Sequence, residues 1–131
     1  MRTSHRATLA VLLGLSISAL GIGAAPLDAQ SAKPAPAFVV IEFTVKNPDT
    51  FQTYAQQAPA TIAQYGGKFT VRGAKPESVA GTAPAGPFIV LAFGSAEQAR
   101  KWATSPEYAA LVPLRDQSAD TRAFIVEGAS P

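Results

Sequence analysis

Residues 37–45 read AFVVIEFTV and are followed by Asn47-Pro48-Asp49, and this stretch decides the fold. Apolar residues occupy every odd position of the stretch, whereas the even positions change from apolar to polar halfway along. Because strand side chains alternate between the two faces of a sheet, the pattern predicts a central strand with one fully buried face. Asn47, Pro48 and Asp49 supply an N-cap, a first helical residue and a first-turn acid, so a helix is expected to begin there.

The segment after Asp49 carries apolar residues at spacings of three and four. They are Phe51, Tyr54, Ala55, Ala58, Ile62 and Tyr65. This spacing predicts a helix with one buried face. Pro59 interrupts the helix and predicts a kink or a restart, because proline removes a backbone donor. Gly66-Gly67 predicts the end of the helix, because glycine enters the left-handed conformation without strain.

The rest of the chain predicts three more strands and a second helical region. Residues 68–72 (KFTVR) alternate, with Phe69 and Val71 on one face, and a loop rich in proline and glycine follows over 73–86. The predicted elements beyond it are a buried strand at 87–93 (PFIVLAF), helical pieces capped by Ser95 and Ser105 with a kink at Pro113, and a last strand at 121–127 (TRAFIVE). The order predicts an α+β, ferredoxin-like βαββαβ domain, with a four-stranded antiparallel sheet and helices on one face.

Residues 1–31 have the three parts of an export signal. Arg2 and Arg6 form a basic start, residues 9–25 are uncharged and apolar, and small residues follow. We expect a signal peptide that sends the protein to the periplasm or outside a bacterial cell and touches the membrane only in passing. A retained anchor is the alternative, and cleavage near 23–25 or 28–32 is left open. The mature chain would then have a flexible leader at 32–36, a domain at 37–128 and a tail at 129–131.

The composition excludes several kinds of chemistry. The 131-residue chain has no cysteine, so it has no disulfide, thiol nucleophile or cysteine-ligated metal, and its one histidine, His5, would leave with the signal. Loss of the signal would also change the formal net charge from +2 to +1, which leaves no basic patch for nucleic acid. We expect no metal site and no cofactor. A haem role is disfavoured, with tyrosine the remaining familiar axial ligand.

The face of the sheet away from the helices is expected to be apolar. Phe38 and Val40 of the first strand lie there, together with Phe88 and Val90 of the third. Soluble proteins rarely leave such a patch uncovered, so we predict a homodimer in which two sheets face each other.

The predicted alternation places Glu42, Thr70 and Arg72 together on the inter-sheet side. These three side chains would converge on a sheltered cavity suited to an anionic or carbonyl-bearing ligand, with Arg72 as a clamp and Glu42 as a proton acceptor. A structural ion pair between Glu42 and Arg72 is the alternative. Arg115, on the second helical region, either covers a helix end or reaches the mouth of the cavity and contacts ligand.

Tyrosines and the tryptophan lie on the predicted helix stripes. Tyr54, Tyr65 and Tyr108 are expected in the core with their hydroxyls near its rim, and Trp102 is expected as a core anchor. Tyr65 is the third candidate catalytic residue beside Glu42 and Arg72.

Three segments resemble a bacterial family known as domain of unknown function 1330. They are 47–73 (NPDTFQTYAQQAPATIAQYGGKFTVRG), 102–115 (WATSPEYAALVPLR) and 124–128 (FIVEG), and the resemblance covers about 38–128. Its most specific parts are Tyr65-Gly66-Gly67, Arg72-Gly73, Ser105-Pro106-Glu107-Tyr108 and Arg115. The resemblance implies the dimeric α/β-barrel fold, which cofactor-free monooxygenases, lactone isomerases and haem enzymes share. The chain departs from the family pattern at Ala74 and Ala80-Gly81, so the loop between the second and third strands is the least transferable region.

The sequence therefore predicts an exported homodimer that binds a small organic ligand in an inter-sheet or edge cavity. One alternative is a cofactor-independent isomerase or monooxygenase-like enzyme that uses Glu42, Arg72 and Tyr65. The other is a purely structural dimerisation module, in which Phe38, Val40, Phe88 and Val90 fill the same space.

Overall fold

The computed structural model of the chain describes residues 32–130, and the predicted export signal at 1–31 lies outside them. The elements are β1 (Ala37–Val45), α1 (Pro48–Gln64), β2 (Lys68–Ala74), β3 (Phe88–Phe93), α2 (Ala96–Ala103), α3 (Pro106–Ala109), α4 (Val112–Ser118) and β4 (Ala119–Glu127). This order confirms the predicted βαββαβ arrangement, with three short helices in the second helical region. No helix in the described part of the chain is both long enough and apolar enough to cross a membrane.

The four strands form one antiparallel sheet in the order β2-β3-β1-β4, as the ferredoxin-like fold requires. The odd residues of β1 from Ala37 to Phe43 are buried against the helices, and Val45 is half-buried. We call this side of the sheet the helix face and the opposite side the outer face. Because β1 is central, its predicted single buried face fixes where the core lies.

Helix α1 begins and ends where its capping residues predict. The Asn47 side chain accepts a hydrogen bond of 3.1 Å from the Thr50 backbone N–H, and Gly66 at φ +77° follows the last turn. The expected restart at Pro59 is wrong, since α1 runs unbroken to Gln64. Tyr54 and Ile62, on either side of the proline, are both buried in the same core, and this packing holds the two halves of the helix together.

Local capping also shapes the second helical region. The Ser95 hydroxyl accepts from the Gln98 N–H at 3.1 Å, and the Gln98 side chain accepts from the Gly94 N–H at 3.1 Å. The Ser105 hydroxyl accepts from the Tyr108 N–H at 3.2 Å. Pro113 falls in the first turn of α4, so it marks a helix start rather than a kink within a longer helix.

An irregularity in β2 changes which side chains share a face. Phe69 pairs with Leu91 and Val71 pairs with Val90, so Thr70 is an extra residue without a strand partner. Val71 therefore lies on the outer face beside Val90, and Arg72, opposite Ile89, lies on the helix face. The expectation that Arg72 shares a face with Glu42 is wrong, because it assumed unbroken alternation along β2.

Apolar side chains in register cover the part of the outer face that lies away from Glu42 and Arg122. Val71, Val90, Val40 and Phe124 form one row across all four strands. A second row is apolar over three strands, with Ala92, Phe38 and Val126, and ends at Lys68 on β2. Phe124 and Val126 on the edge strand are 44% and 45% exposed. We call these two rows the outer apolar surface.

Candidate ligand cavity

A partly enclosed cavity of about 230 Å³ lies between α1 and the helix face of the sheet. Its walls come from three places: strands β1, β2 and β3, one side of α1, and α2. The main lining residues are Ile41, Phe43, Phe69 and Ile89 from the strands, Phe51, Tyr54, Ala58 and Ile62 from α1, and Trp102 from α2. Thus the same α1 stripe that predicts core packing also encloses this space.

Five of the fourteen residues that line the cavity are aromatic. The Phe43 ring lies 4.9 Å from the Phe51 ring and 5.9 Å from the Tyr54 ring, both in edge-to-face geometry. Trp102, the one tryptophan of the chain, lies against Phe93 at 5.8 Å and Tyr108 at 4.3 Å. These contacts pack the rings against one another along the apolar walls of the cavity.

Two polar groups in the cavity walls already have partners. The Trp102 indole N–H donates to the Thr61 hydroxyl at 3.1 Å, and Thr61 donates to the Ala58 carbonyl. The Tyr54 hydroxyl lies 3.5 Å from the Tyr108 hydroxyl, and burial raises the pKa of Tyr54 well above its ordinary value. Tyr54 therefore stays protonated, so it can donate a hydrogen bond but cannot serve as a base near neutral pH.

Arg72 stands at the mouth of the cavity. Its guanidinium carbon lies 4.6 Å from the centre of the Phe69 ring, and the residue is exposed. Outside the mouth is a second hollow, which we call the vestibule, lined by Arg72 together with Gln52 and Gln56 of α1. The ring contact holds the guanidinium at the boundary between the apolar cavity and the polar vestibule.

Glu42 lies on the outer face, away from this cavity. Its carboxylate accepts from Arg122 of β4, at 2.6 Å from Nη2 and 2.8 Å from Nε. Glu42 does form a structural ion pair, but its partner is Arg122 and not the predicted Arg72. Thr70 is exposed in the β2 irregularity. Glu42, Thr70 and Arg72 therefore do not converge.

Tyr65 and Arg115 each have polar partners that do not line the cavity. The Tyr65 hydroxyl donates to Glu107 at 2.7 Å, which raises the pKa of Tyr65 and lowers that of Glu107. Arg115 pairs with Asp116 at 2.8 Å and donates to the Tyr108 hydroxyl at 3.0 Å. Neither residue lines the cavity, so the three candidate catalytic residues occupy separate sites. Ligand roles for Glu42, Thr70 and Arg115 stay predictions.

Sequence reasoning missed the two glutamines of the vestibule. Gln52 and Gln56 are four residues apart on α1, and this spacing places them on one side of the helix, beside Phe51 and Ala55. That spacing was the available signal, but its meaning depended on knowing that Arg72 lies opposite. Within residues 32–130, no cluster of three or more histidine, cysteine, aspartate or glutamate side chains is placed to hold a metal ion.

Comparison with known proteins gives a family and a fold. The family model described as "Domain of unknown function (DUF1330)" matches residues 36–129. No match was found among curated proteins. The solved structures resembling this chain include the RPA0582 protein of unknown function from Rhodopseudomonas palustris, with 15% identity, coverage of 74% of this chain and 85% of that chain, and a TM-score of 0.58.

Two more solved structures share the fold at lower identity. SnoaB, a cofactor-independent oxygenase from Streptomyces nogalater, is 13% identical over 74% of this chain and 96% of its own, with a TM-score of 0.53. A hypothetical protein of Arabidopsis thaliana is 13% identical over 76% of this chain and 93% of its own, also with a TM-score of 0.53. At such identities the likeness concerns the fold alone, which is the ferredoxin-like fold of dimeric α/β barrels.

Proposed function

The chain belongs to the DUF1330 family, and we propose that it binds a small, largely apolar organic molecule in the cavity between α1 and the sheet. The observation that carries this proposal is the cavity itself, about 230 Å³ in volume and walled by aromatic rings. An engineered protein cavity of roughly 150 Å³ is large enough to bind benzene. The space therefore suits a molecule with one aromatic ring or a short alkyl chain.

The side chains around the cavity favour binding over proton-transfer catalysis. Neither the cavity nor its vestibule is lined by a carboxylate or an imidazole among the described residues. Tyr54 keeps its proton because burial raises its pKa. SnoaB is a cofactor-independent oxygenase, but the shared fold brings no base into this cavity. Ligand binding therefore requires fewer groups in the cavity than isomerase or oxygenase activity does. A purely structural role would not account for the cavity.

Intrinsic fluorescence gives a direct test, because the one tryptophan, Trp102, lines the cavity. Titration with hydrocinnamyl alcohol, an uncharged molecule with one ring, should change the fluorescence to saturation. Ala58→Leu should abolish the change by filling the cavity. Ala60→Leu, on the exposed side of the same helix, should preserve it. An unchanged response in Ala58→Leu, or no saturable response in the native protein, would overturn the proposal.

We also propose that two chains associate through the outer apolar surface. Support comes from the row Val71, Val90, Val40 and Phe124, which spans the sheet without a polar break. An exposed apolar surface of this kind usually marks an interface, and a second copy of the sheet presents the same apolar rows for face-to-face packing.

Sedimentation at micromolar concentration tests the dimer. The native domain should sediment as a dimer, and Phe124→Asp should shift it to monomer because a buried carboxylate opposite an apolar sheet is costly. Val79→Asp is a matched control, since Val79 is 99% exposed in the loop before β3. A native monomer, or a Phe124→Asp dimer, would refute the proposed interface.

Export remains our proposal for residues 1–31 and rests on their basic start and apolar stretch. The ligand would then be met in the periplasm or outside the cell. Fractionation of the producing bacterium, followed by N-terminal sequencing, should find a shortened chain outside the cytoplasm. A full-length chain held in the cytoplasm would contradict export without affecting the cavity proposal.

A further inference from the structure

We infer that the molecule held in the cavity is an amphipathic anion, with its apolar body among the aromatic walls and its acidic group bound by Arg72 at the mouth. This inference rests on the proposed binding function and names the chemical class of ligand. It requires a cation without a protein partner, neutral polar groups around that cation, and an apolar space behind it.

Arg72 is a cation that the surrounding protein does not neutralise. In the part of the chain that the structure describes, its guanidinium has no carboxylate within ion-pair distance. Arg115 and Arg122, by contrast, are each paired with a carboxylate, Asp116 and Glu42. The Phe69 ring positions the Arg72 guanidinium but supplies no counter-charge. A planar guanidinium in this state matches a carboxylate through two parallel hydrogen bonds.

The vestibule adds neutral hydrogen-bonding groups and no competing charge. Gln52 and Gln56 line it from α1, facing the side that holds Arg72. Each amide group can donate to an anionic oxygen or accept from a hydroxyl. Because Arg72 is the one charged residue among residues 32–130 that lines either the cavity or the vestibule, the local electrostatic potential favours a negative group there.

The geometry also sets the order of groups along the ligand. Arg72 borders both spaces, whereas Trp102 and Ile62 line only the inner one. An acidic group at Arg72 therefore requires the apolar part to extend inward, toward α2. A ring linked to a carboxylate by a short chain satisfies this arrangement. A molecule charged at both ends would bury one charge without a partner, which is strongly unfavourable.

The test compares two probes that differ at one end, where one carries a carboxylate and the other an uncharged hydroxymethyl group. Hydrocinnamate and hydrocinnamyl alcohol have the same ring and chain, and Trp102 fluorescence reports the binding of both. The native protein should bind hydrocinnamate about 10-fold more tightly than the alcohol, as expected for a charge-assisted hydrogen bond at a partly solvated site. Arg72→Gln should remove this preference, because it should weaken binding of hydrocinnamate much more than binding of the alcohol. Arg122→Gln, at a paired arginine on the outer face, should keep it.

Each outcome separates this inference from the proposed function. Binding of the alcohol by Arg72→Gln shows that the variant is folded and that its cavity is intact. A preference for hydrocinnamate that persists in Arg72→Gln, or equal affinities in the native protein, would overturn the anion assignment alone. Failure of both probes to bind the native protein would overturn the assignment together with the cavity proposal.

Discussion

Both faces of the sheet carry apolar side chains, but the two faces differ in how these side chains are covered and in where they carry charge. The helix face is covered by four helices, with a cavity left under α1, whereas the outer face carries apolar rows that are open along β4. At the edge of the outer apolar surface, Glu42 is neutralised by Arg122. At the mouth of the cavity, Arg72 has no carboxylate partner among the described residues. Apolar side chains alone therefore do not distinguish the proposed interface from the proposed ligand site, whereas the pairing of the nearby charge differs between them.

The largest expected effect compares neighbouring residues of β3 that point to opposite faces. Leu91 is fully buried on the helix face, so Leu91→Ala should lower the free energy of unfolding by about 2–5 kcal/mol. Val90 lies on the outer face, so Val90→Ala should act mainly by weakening the proposed dimer. Urea denaturation and sedimentation of both variants measure the two effects. A weakened dimer in Leu91→Ala, with native association in Val90→Ala, would reverse the assignment of the faces.

A smaller effect is the change with pH of the free energy of unfolding that the buried Tyr54 hydroxyl causes. Tyr54 has a raised pKa in the folded state, whereas an unfolded tyrosine ionises near pH 10. Its contribution to stability is therefore complete below about pH 10 and declines as the pH rises further, by about 1.4 kcal/mol per pH unit until folded Tyr54 also ionises.

The control for this pH dependence is Tyr54→Phe. The difference in unfolding free energy between native protein and Tyr54→Phe should be constant from pH 7 to 9 and should shrink above pH 10, because only the native protein then loses the contribution of Tyr54. Tyr65 at the end of α1 donates to Glu107 of α3, and this residue is present in both proteins, so its ionisation does not affect the difference. A constant difference throughout would mean that Tyr54 is not buried as described.

The smallest expected effect is that of deleting Thr70, which should leave the ligand preference unchanged. Removing one residue from a regular strand moves every later side chain to the opposite face. Thr70 is the extra residue of β2, so its deletion should leave Val71 opposite Val90 and Arg72 opposite Ile89. The preference for hydrocinnamate over the alcohol should therefore survive the deletion. Loss of the preference, with the alcohol still bound, would show that the irregularity does not set the face of Arg72.

The features predicted correctly from the sequence are those that depend on neighbours along the chain. The alternation of β1, the Asn47 cap and the glycine end of α1 all arise within a few residues, so their patterns are direct physical signals. The βαββαβ order follows from them. The family resemblance is confirmed by the match over residues 36–129.

The site was harder to predict because it depends on pairing between distant segments. Thr70 is an extra residue only relative to β3, and KFTVR alone shows regular alternation. The ion pair of Glu42 with Arg122 joins residues 80 positions apart. This ion pair could have been predicted by pairing the first and last predicted strands in antiparallel register. The cavity volume results from how far α1 stands from the sheet, and no local pattern reports that distance.

Locating a bound probe tests the central claim most directly, namely that the helix face and not the outer face holds the ligand. Crystals of the protein soaked with ring-brominated hydrocinnamate would show the bromine by anomalous diffraction. The bromine should lie in the cavity between Phe43 and Trp102, with the carboxylate at Arg72. A bromine on the outer face beside Glu42 and Arg122, with the cavity empty, would contradict the account.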